Sequence, residues 1–173
     1  MIKSVVLDQA TQAVQMESFW GEYWMKNVVP RPSHVSAHVG IFVEPFLTDI
    51  LEGTKTIESR FSMNECDPYG VVKSGDVILL KQAAGPVVGL CRVRTVWSYQ
   101  VDPETLMDLK ETFGEAMCAN DSEFWIARAD AAYATLMQID NVSALAPFDI
   151  EKRDQRGWVV LKKRSRQRVL WED

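Results

Sequence analysis

Three ionisable side chains, Lys55, Glu58 and Arg60, fall in the short segment Gly53-Thr54-Lys55-Thr56-Ile57-Glu58-Ser59-Arg60. A lysine stabilises developing negative charge, a carboxylate accepts a proton, and an arginine orients a carboxylate or a ligand oxygen. Gathered at a cleft, the three could grip a polar, planar ligand. Spread over a surface strand, they would be solvated or paired with one another, which is worth little. Spacing alone leaves both readings open. Strand alternation puts Glu58 and Arg60 on one face, and Lys55 joins them only if it sits in the turn before the strand.

The flanking residues must position this group. Pro45-Phe46-Leu47-Thr48-Asp49-Ile50-Leu51 can form two helical turns, and Gly53 is suited to end them in a left-handed conformation. Thr54, Thr56, Ile57 and Ser59 are small or β-branched, so a strand is expected next. An irregular loop from Phe61 to Ser74 follows, with a turn at Asp67-Pro68-Tyr69-Gly70. Tyr69 either packs in that loop or projects toward the same cleft.

Elsewhere the pattern predicts a helix over about Val5 to Lys26, carrying Phe19, Trp20, Tyr23 and Trp24 on roughly one side. This aromatic end either docks on the domain, stacks on bases or forms an interface with a protein partner. Pro30-Arg31-Pro32-Ser33 reads as a stiff linker. His34 and His38 have the four-residue spacing of helical metal ligands, but Val39-Gly40-Ile41-Phe42-Val43 reads as a strand, which argues against a metal role. Val77 to Lys81 and Val87 to Trp97 read as a hairpin, with Arg92 and Arg94 on one side and Cys91, Val93 and Thr95 on the other. Asp102-Pro103 and Asp121-Ser122 start two helices, and strands follow at Tyr133 to Ile139 and Gly157 to Leu161. The tally is about six strands and three or four helices, an α+β arrangement and not alternating βαβ units.

Composition bounds the function. The chain has 173 residues, 47% of them hydrophobic, enough for one core. Its net charge of −5 argues against a uniformly basic nucleic-acid binder. The charge is uneven, however: eight basic residues and one acid lie between Lys152 and Arg168. Such a segment is either a solvated tail or a polyanion contact. Cys66, Cys91 and Cys118 are odd in number and form no CxxC pair, so neither a disulfide framework nor a zinc site is indicated. With no signal-peptide core and no membrane-length apolar run, a cytoplasmic protein with reduced thiols is expected.

The segment Gly53 to Arg60 resembles the G-x-K-x-x-E-x-R signature of the ASCH family, small β-barrel domains similar to the PUA fold. Ile50-Leu51, Gly75-Asp76-Val77-Ile78-Leu79-Leu80, Val96-Trp97, the helical insertion around Phe113 to Ala129 and Gly157 to Leu161 also fit the family's order. The resemblance covers about His38 to Leu161. It implies a PUA-like mixed β-barrel with flanking helices at residues 33–161, preceded by a helical extension and linker at 1–32 and followed by a basic tail at 162–173.

It also implies a cleft at the signature strand and a role in RNA or nucleoside metabolism. For binding single-stranded RNA or a modified nucleoside, Arg60, Arg92 and Arg94 with Tyr69 and Trp97 are the expected ligand-binding residues. Lys162, Lys163, Arg164, Arg166 and Arg168 are expected on the phosphate backbone. Some family members are amidohydrolases on acylated cytidine nucleosides and others are ribonucleases. The amidohydrolase site uses the signature Lys, a Thr three residues later and a downstream Glu. Here Lys55 is kept, Glu58 occupies the Thr position, and Glu115 or Glu111 lies in the region of the downstream Glu. Hydrolysis would then use Lys55, Glu58 and Glu115, with water and not a Thr hydroxyl as nucleophile. No cofactor is expected, and a divalent metal only for a nuclease. No membrane partner is expected, and a monomer is favoured.

Overall fold

Val77-Ile78-Leu79-Leu80 is apolar at every position, and the chain buries both faces of it. Its computed structural model describes residues 2–151 and 156–165. Lys152, Arg153, Arg166 and Arg168 of the basic segment lie outside the described residues.

Six strands form one sheet: β1 (Ala37–Phe42), β2 (Ile57–Ser62), β3 (Val77–Gln82), β4 (Val87–Gln100), β5 (Tyr133–Phe148) and β6 (Trp158–Lys162). Their order is β2-β5-β4-β3-β1-β6. The β1–β3 pair is parallel and the other pairs are antiparallel. β4 and β5 are the long strands, and register shifts between Val87 and Thr95 bend them. Bending of this kind curls the sheet until its two edges, β2 and β1–β6, approach each other.

Alternation along the strands then sorts the core. Val77 and Leu79 face an outer cluster with Val39, Leu90 and Val159, whereas Ile78 and Leu80 face an inner cluster with Phe42, Val93, Met137 and Trp158. α3 (Phe46–Leu51) inserts Leu47 and Ile50 into the inner cluster. α4 (Pro103–Phe113) and α5 (Ser122–Ile126), capped by Asp102 and Asp121 as expected, cover a third cluster over β5 with Leu109, Met117 and Trp125.

The N-terminal segment departs from a single helix. It runs as α1 (Lys3–Val14), α2 (Ser18–Tyr23) and a π-helical turn at Trp24–Val28. Glu17 is extended, with φ −86° and ψ 122°, so the chain breaks there and folds back. Gly21 makes the fold-back possible: a Cβ on it would lie 3.3 Å from the carbonyl oxygens of both Val14 and Gln15. Periodicity could not register this break, because the imperfect apolar stripe continues on both sides of it. Trp20 and Trp24 are buried in the outer cluster with the sheet, and Trp20 Nε1 donates to Asn141 O at 2.8 Å. The aromatic end therefore docks on the chain's own sheet, which counts against its use as a base-stacking platform or as the face of a partner interface.

His38 is fully buried and serves the same packing. Its Nε2 lies 3.1 Å from Asp76 Oδ2, and its Nδ1 accepts from Trp158 Nε1 at 3.2 Å. Asp76 is also fully buried; it accepts from the backbone N–H of Ser36 and Lys73 and pairs with Arg164. Removing this buried carboxylate leaves the part-exposed Arg164, His38 and two backbone donors without their acceptor. Asp76→Ala is expected to lower unfolding free energy by about 3–5 kcal/mol, measured by urea denaturation. Lys163→Ala, at an exposed position of the same tail, should stay within about 0.5 kcal/mol.

Candidate functional site

The site is built where an edge strand meets the turn before it. α3 ends at Leu51, and Gly53 takes φ +81°, a left-handed value that residues with a Cβ avoid. The backbone N–H of Lys55 then bonds to Asp49 O at 3.0 Å, and those of Thr56 and Ile57 both bond to Ala116 O at 3.0 Å. β2 starts only at Ile57. Lys55 thus sits in the turn, and the late strand start brings it to the side of Glu58 and Arg60.

Lys55 is buried. Its Nζ donates to Met117 O at 2.7 Å, lies 3.6 Å from Glu58 Oε2 and stands 5.1 Å from the centre of the Phe46 ring. Burial pushes its pKa below the ordinary lysine range, and the nearby Glu58 carboxylate opposes that shift. Glu58, also buried, has Oε1 2.8 Å from Arg60 Nε, an ion pair without an aligned hydrogen bond from that nitrogen. The guanidinium of Arg60 reaches further. Nη1 donates to Gly157 O at 3.1 Å and Nη2 to Ile41 O at 3.0 Å. Its carbon lies 4.8 Å from the Phe42 ring centre and 5.2 Å from that of Trp158. Arg60 therefore joins β2, at one edge of the sheet, to β1 and the start of β6 at the other.

Over this seam opens a hollow of about 440 Å³, within the size range of small-molecule sites. Lys55, Glu58 and Arg60 line it together with Phe42, Phe46, Phe61, Phe124 and Arg128. The guanidinium carbon of Arg128 lies 3.5 Å from the centre of the Phe124 ring, and its Nη1 donates to Phe124 O at 2.7 Å. Burial lowers its pKa; Glu58 raises it and Arg60 lowers it further. Three cations thus face one carboxylate, among four phenylalanines. A smaller hollow of about 190 Å³ adjoins on the far side of Arg60 and Phe61, lined by Ser62, Tyr69, Thr135 and Trp158.

Of the residues expected at the site, Lys55, Glu58 and Arg60 converge. Tyr69 packs edge-on against Tyr133 and faces the smaller hollow. Arg92 lies elsewhere: it forms a two-pronged ion pair with Asp140 and covers the Phe19 and Tyr23 rings of α2. Arg94 is exposed and Trp97 packs on Phe113, and neither lines the pocket. Glu111 and Glu115 are exposed and do not line it either; the segment's contribution is the carbonyl of Met117.

In the tail, Lys162 donates to the carbonyls of Val28, Val29 and Pro30, and Arg164 pairs with Asp76, so both are used internally. Only Lys163 among the described tail cations is exposed. For Arg92 and Lys162 the reason is the same: sequence assigns a residue to a face of a strand, but not which acid or carbonyl that face meets.

Arg128, Phe46, Phe61 and Phe124 were not anticipated. The signal for Arg128 was present, since Phe124 and Arg128 are four apart at a helix end, where a guanidinium folds back over a ring.

A small curled α+β sheet with a charged pocket at its closing seam defines a class of partly closed barrels. The ASCH domain family model matches residues 41–146, and the chain belongs to the ASCH domain family. The fold is also similar to the crystal structure of ASCH from Zymomonas mobilis: TM-score 0.59, 14% identity, 73% of this chain and 88% of that one covered. Two variant structures of the Zymomonas mobilis protein match with TM-scores of 0.58 and 0.57, each at 14% identity. They cover 74% of this chain in both cases and 91% and 89% of theirs. Comparison with curated sequences found no match. Among the described residues no helix is long and apolar enough to cross a membrane.

Arg60→Lys keeps a charge but cannot span two carbonyls and a carboxylate. It is expected to cost about 2–3 kcal/mol of unfolding free energy by chemical denaturation, from the lost charge-assisted bonds. Arg128→Lys, with one backbone acceptor at stake, should cost under about 1 kcal/mol.

Proposed function

We propose that the protein binds RNA or a modified nucleobase at the pocket over the β2 seam, with a role in RNA or nucleoside metabolism. The observation that carries this reading is the composition of the hollow: four phenylalanine rings beside Lys55, Arg60 and Arg128, in about 440 Å³. Rings stack on a base without regard to its identity, and the cations attract the phosphates or polar edges around it. Phe46, Phe61 and Phe124 take the stacking role expected of Tyr69 and Trp97, and Arg128 takes the cationic role expected of Arg92 and Arg94. Membership of the family, with its links to RNA, supports the same reading.

Hydrolysis is the second reading, supported by the Lys55–Glu58 pair. A buried ammonium 3.6 Å from a carboxylate inside a pocket is an arrangement that can hold a proton and stabilise an oxyanion. Glu58 would activate water, Lys55 would stabilise the developing charge, and Arg60 would orient Glu58. Incubation with acylated nucleosides and single-stranded RNA, read by mass spectrometry alongside fluorescence anisotropy, separates binder, amidohydrolase and ribonuclease. Retention of ligand without conversion is expected. Conversion lost in Lys55→Met and Glu58→Gln would establish the second reading, and neither binding nor conversion would overturn both.

Affinity for single-stranded RNA should fall as salt rises from 50 to 200 mM, by about sevenfold for two phosphate contacts. It should also weaken as pH rises, ahead of the ordinary lysine titration at about 10.4, because burial lowers the Lys55 pKa and its ammonium is lost early. Lys55→Met is expected to remove that alkaline limb. Stability responds with the opposite sign. Between the folded and unfolded pKa of Lys55 the unfolded chain holds more protons, so this group's contribution rises with pH.

A further inference from the structure

The cations of the pocket differ in what they have left to give. The three guanidinium nitrogens of Arg60 face Glu58, Gly157 O and Ile41 O, and Lys55 is held by Met117 O and Glu58. Arg128 differs. Among the described residues its one hydrogen bond is from Nη1 to Phe124 O, and it makes no ion pair there. A guanidinium carries five N–H donors, so most of those on Arg128 remain available at the pocket wall. Its head group is already held by the Phe124 ring, 3.5 Å from the ring centre, and by the bond to Phe124 O, so little freedom is lost when an anion arrives. Glu58, the one acid lining the pocket, is held by Lys55 and Arg60.

From these positions we infer that Arg128 is the phosphate-binding residue of the pocket, and that its ligand is a phosphorylated ribonucleoside and not the neutral nucleoside. The inference rests on the nucleobase-binding reading and adds the ligand's charge state. The planar donor fork of arginine matches two oxygens of a phosphate. The ring system of the ligand lies among Phe46, Phe61 and Phe124, and its phosphate lies on the Arg128 side. The phosphate comes from a free nucleotide or from within an RNA strand. A strand would continue past Arg60 and Phe61 into the adjoining hollow beside Tyr69.

Isothermal titration at fixed ionic strength tests this with the four ribonucleosides, their 5′- and 3′-monophosphates, and the dinucleotides. The full chain and its Arg128→Gln variant are compared, with thermal unfolding as the check on folding. The wild-type protein is expected to bind a monophosphate or dinucleotide at least about tenfold tighter than the matching nucleoside. Arg128→Gln should abolish that preference, bringing the ratio of nucleotide to nucleoside affinity to about one. A dinucleotide tighter than either monophosphate assigns the phosphate to an RNA strand, and the reverse order assigns it to a free nucleotide. Equal affinity for nucleoside and nucleotide in the wild type, or an unchanged preference in Arg128→Gln, overturns the role of Arg128 and leaves nucleobase binding standing. No binding of any probe overturns both. If Arg128→Gln unfolds, Arg128→Lys serves instead: loss of the fork with charge retained should reduce the preference at least about threefold, and retention of the full preference overturns the proposal.

Discussion

The structure depends on one guanidinium closing a seam. A curled sheet of six strands leaves two edges, and unpaired edges expose backbone groups that bind other chains or water. Arg60, on the edge strand β2, bonds to Ile41 O on β1 and Gly157 O before β6. Its stacking on Phe42 and Trp158 ties the charge to the inner core. Glu58 balances it from one side, and Lys55 balances Glu58 from beyond. The reading of Glu58 and Arg60 as a structural pair and their reading as a pocket group are therefore the same geometry seen from two directions. The seam has to be charged to close, and the pocket lies over the seam.

This arrangement separates cations that hold the fold from cations left for a ligand. Arg92 is matched by Asp140, Arg164 by the buried Asp76, and Lys162 by three backbone carbonyls beside the π-helical turn. Internal charges of this kind are already neutralised and add little to attraction at a distance. Arg128 lacks such a partner among the described residues and lies among aromatic rings, where its charge is incompletely solvated. An overall charge of −5 is then compatible with a cationic pocket, because local imbalance and not the total decides what a small hollow attracts.

Much of the fold was legible in the residues. Val77 to Leu80 as a strand, the Asp102 and Asp121 caps, the left-handed Gly53 and the six-strand count followed from short-range chemistry, and these elements appear where the pattern put them. The break at Glu17 was not legible, since the apolar stripe runs through it and only Gly21 against the end of α1 allows the reversal. β5 also runs through Asn141 to Phe148 as one strand, because long-range pairing with β4 overrides the weak local pattern there.

The Gly53 to Arg60 segment and its companions downstream pointed to the family that the family model matches, and the segment determined which three charged residues lie together in sequence. It also set the condition for their meeting, since strand alternation allows Lys55 beside Glu58 only from a turn. Whether that condition held was decided by tertiary structure. The Ala116 carbonyl delays the start of β2, and the Met117 carbonyl receives the lysine, from a segment some sixty residues away. The identity of the remaining wall was decided in the same way. Phe46 comes from α3 and the Phe124–Arg128 pair from the end of α5, and only tertiary packing brings them to one hollow with β2. Local sequence carries backbone preferences that extend over a few residues; a pocket is made of side chains whose proximity arises when the sheet curls and its edges are tied.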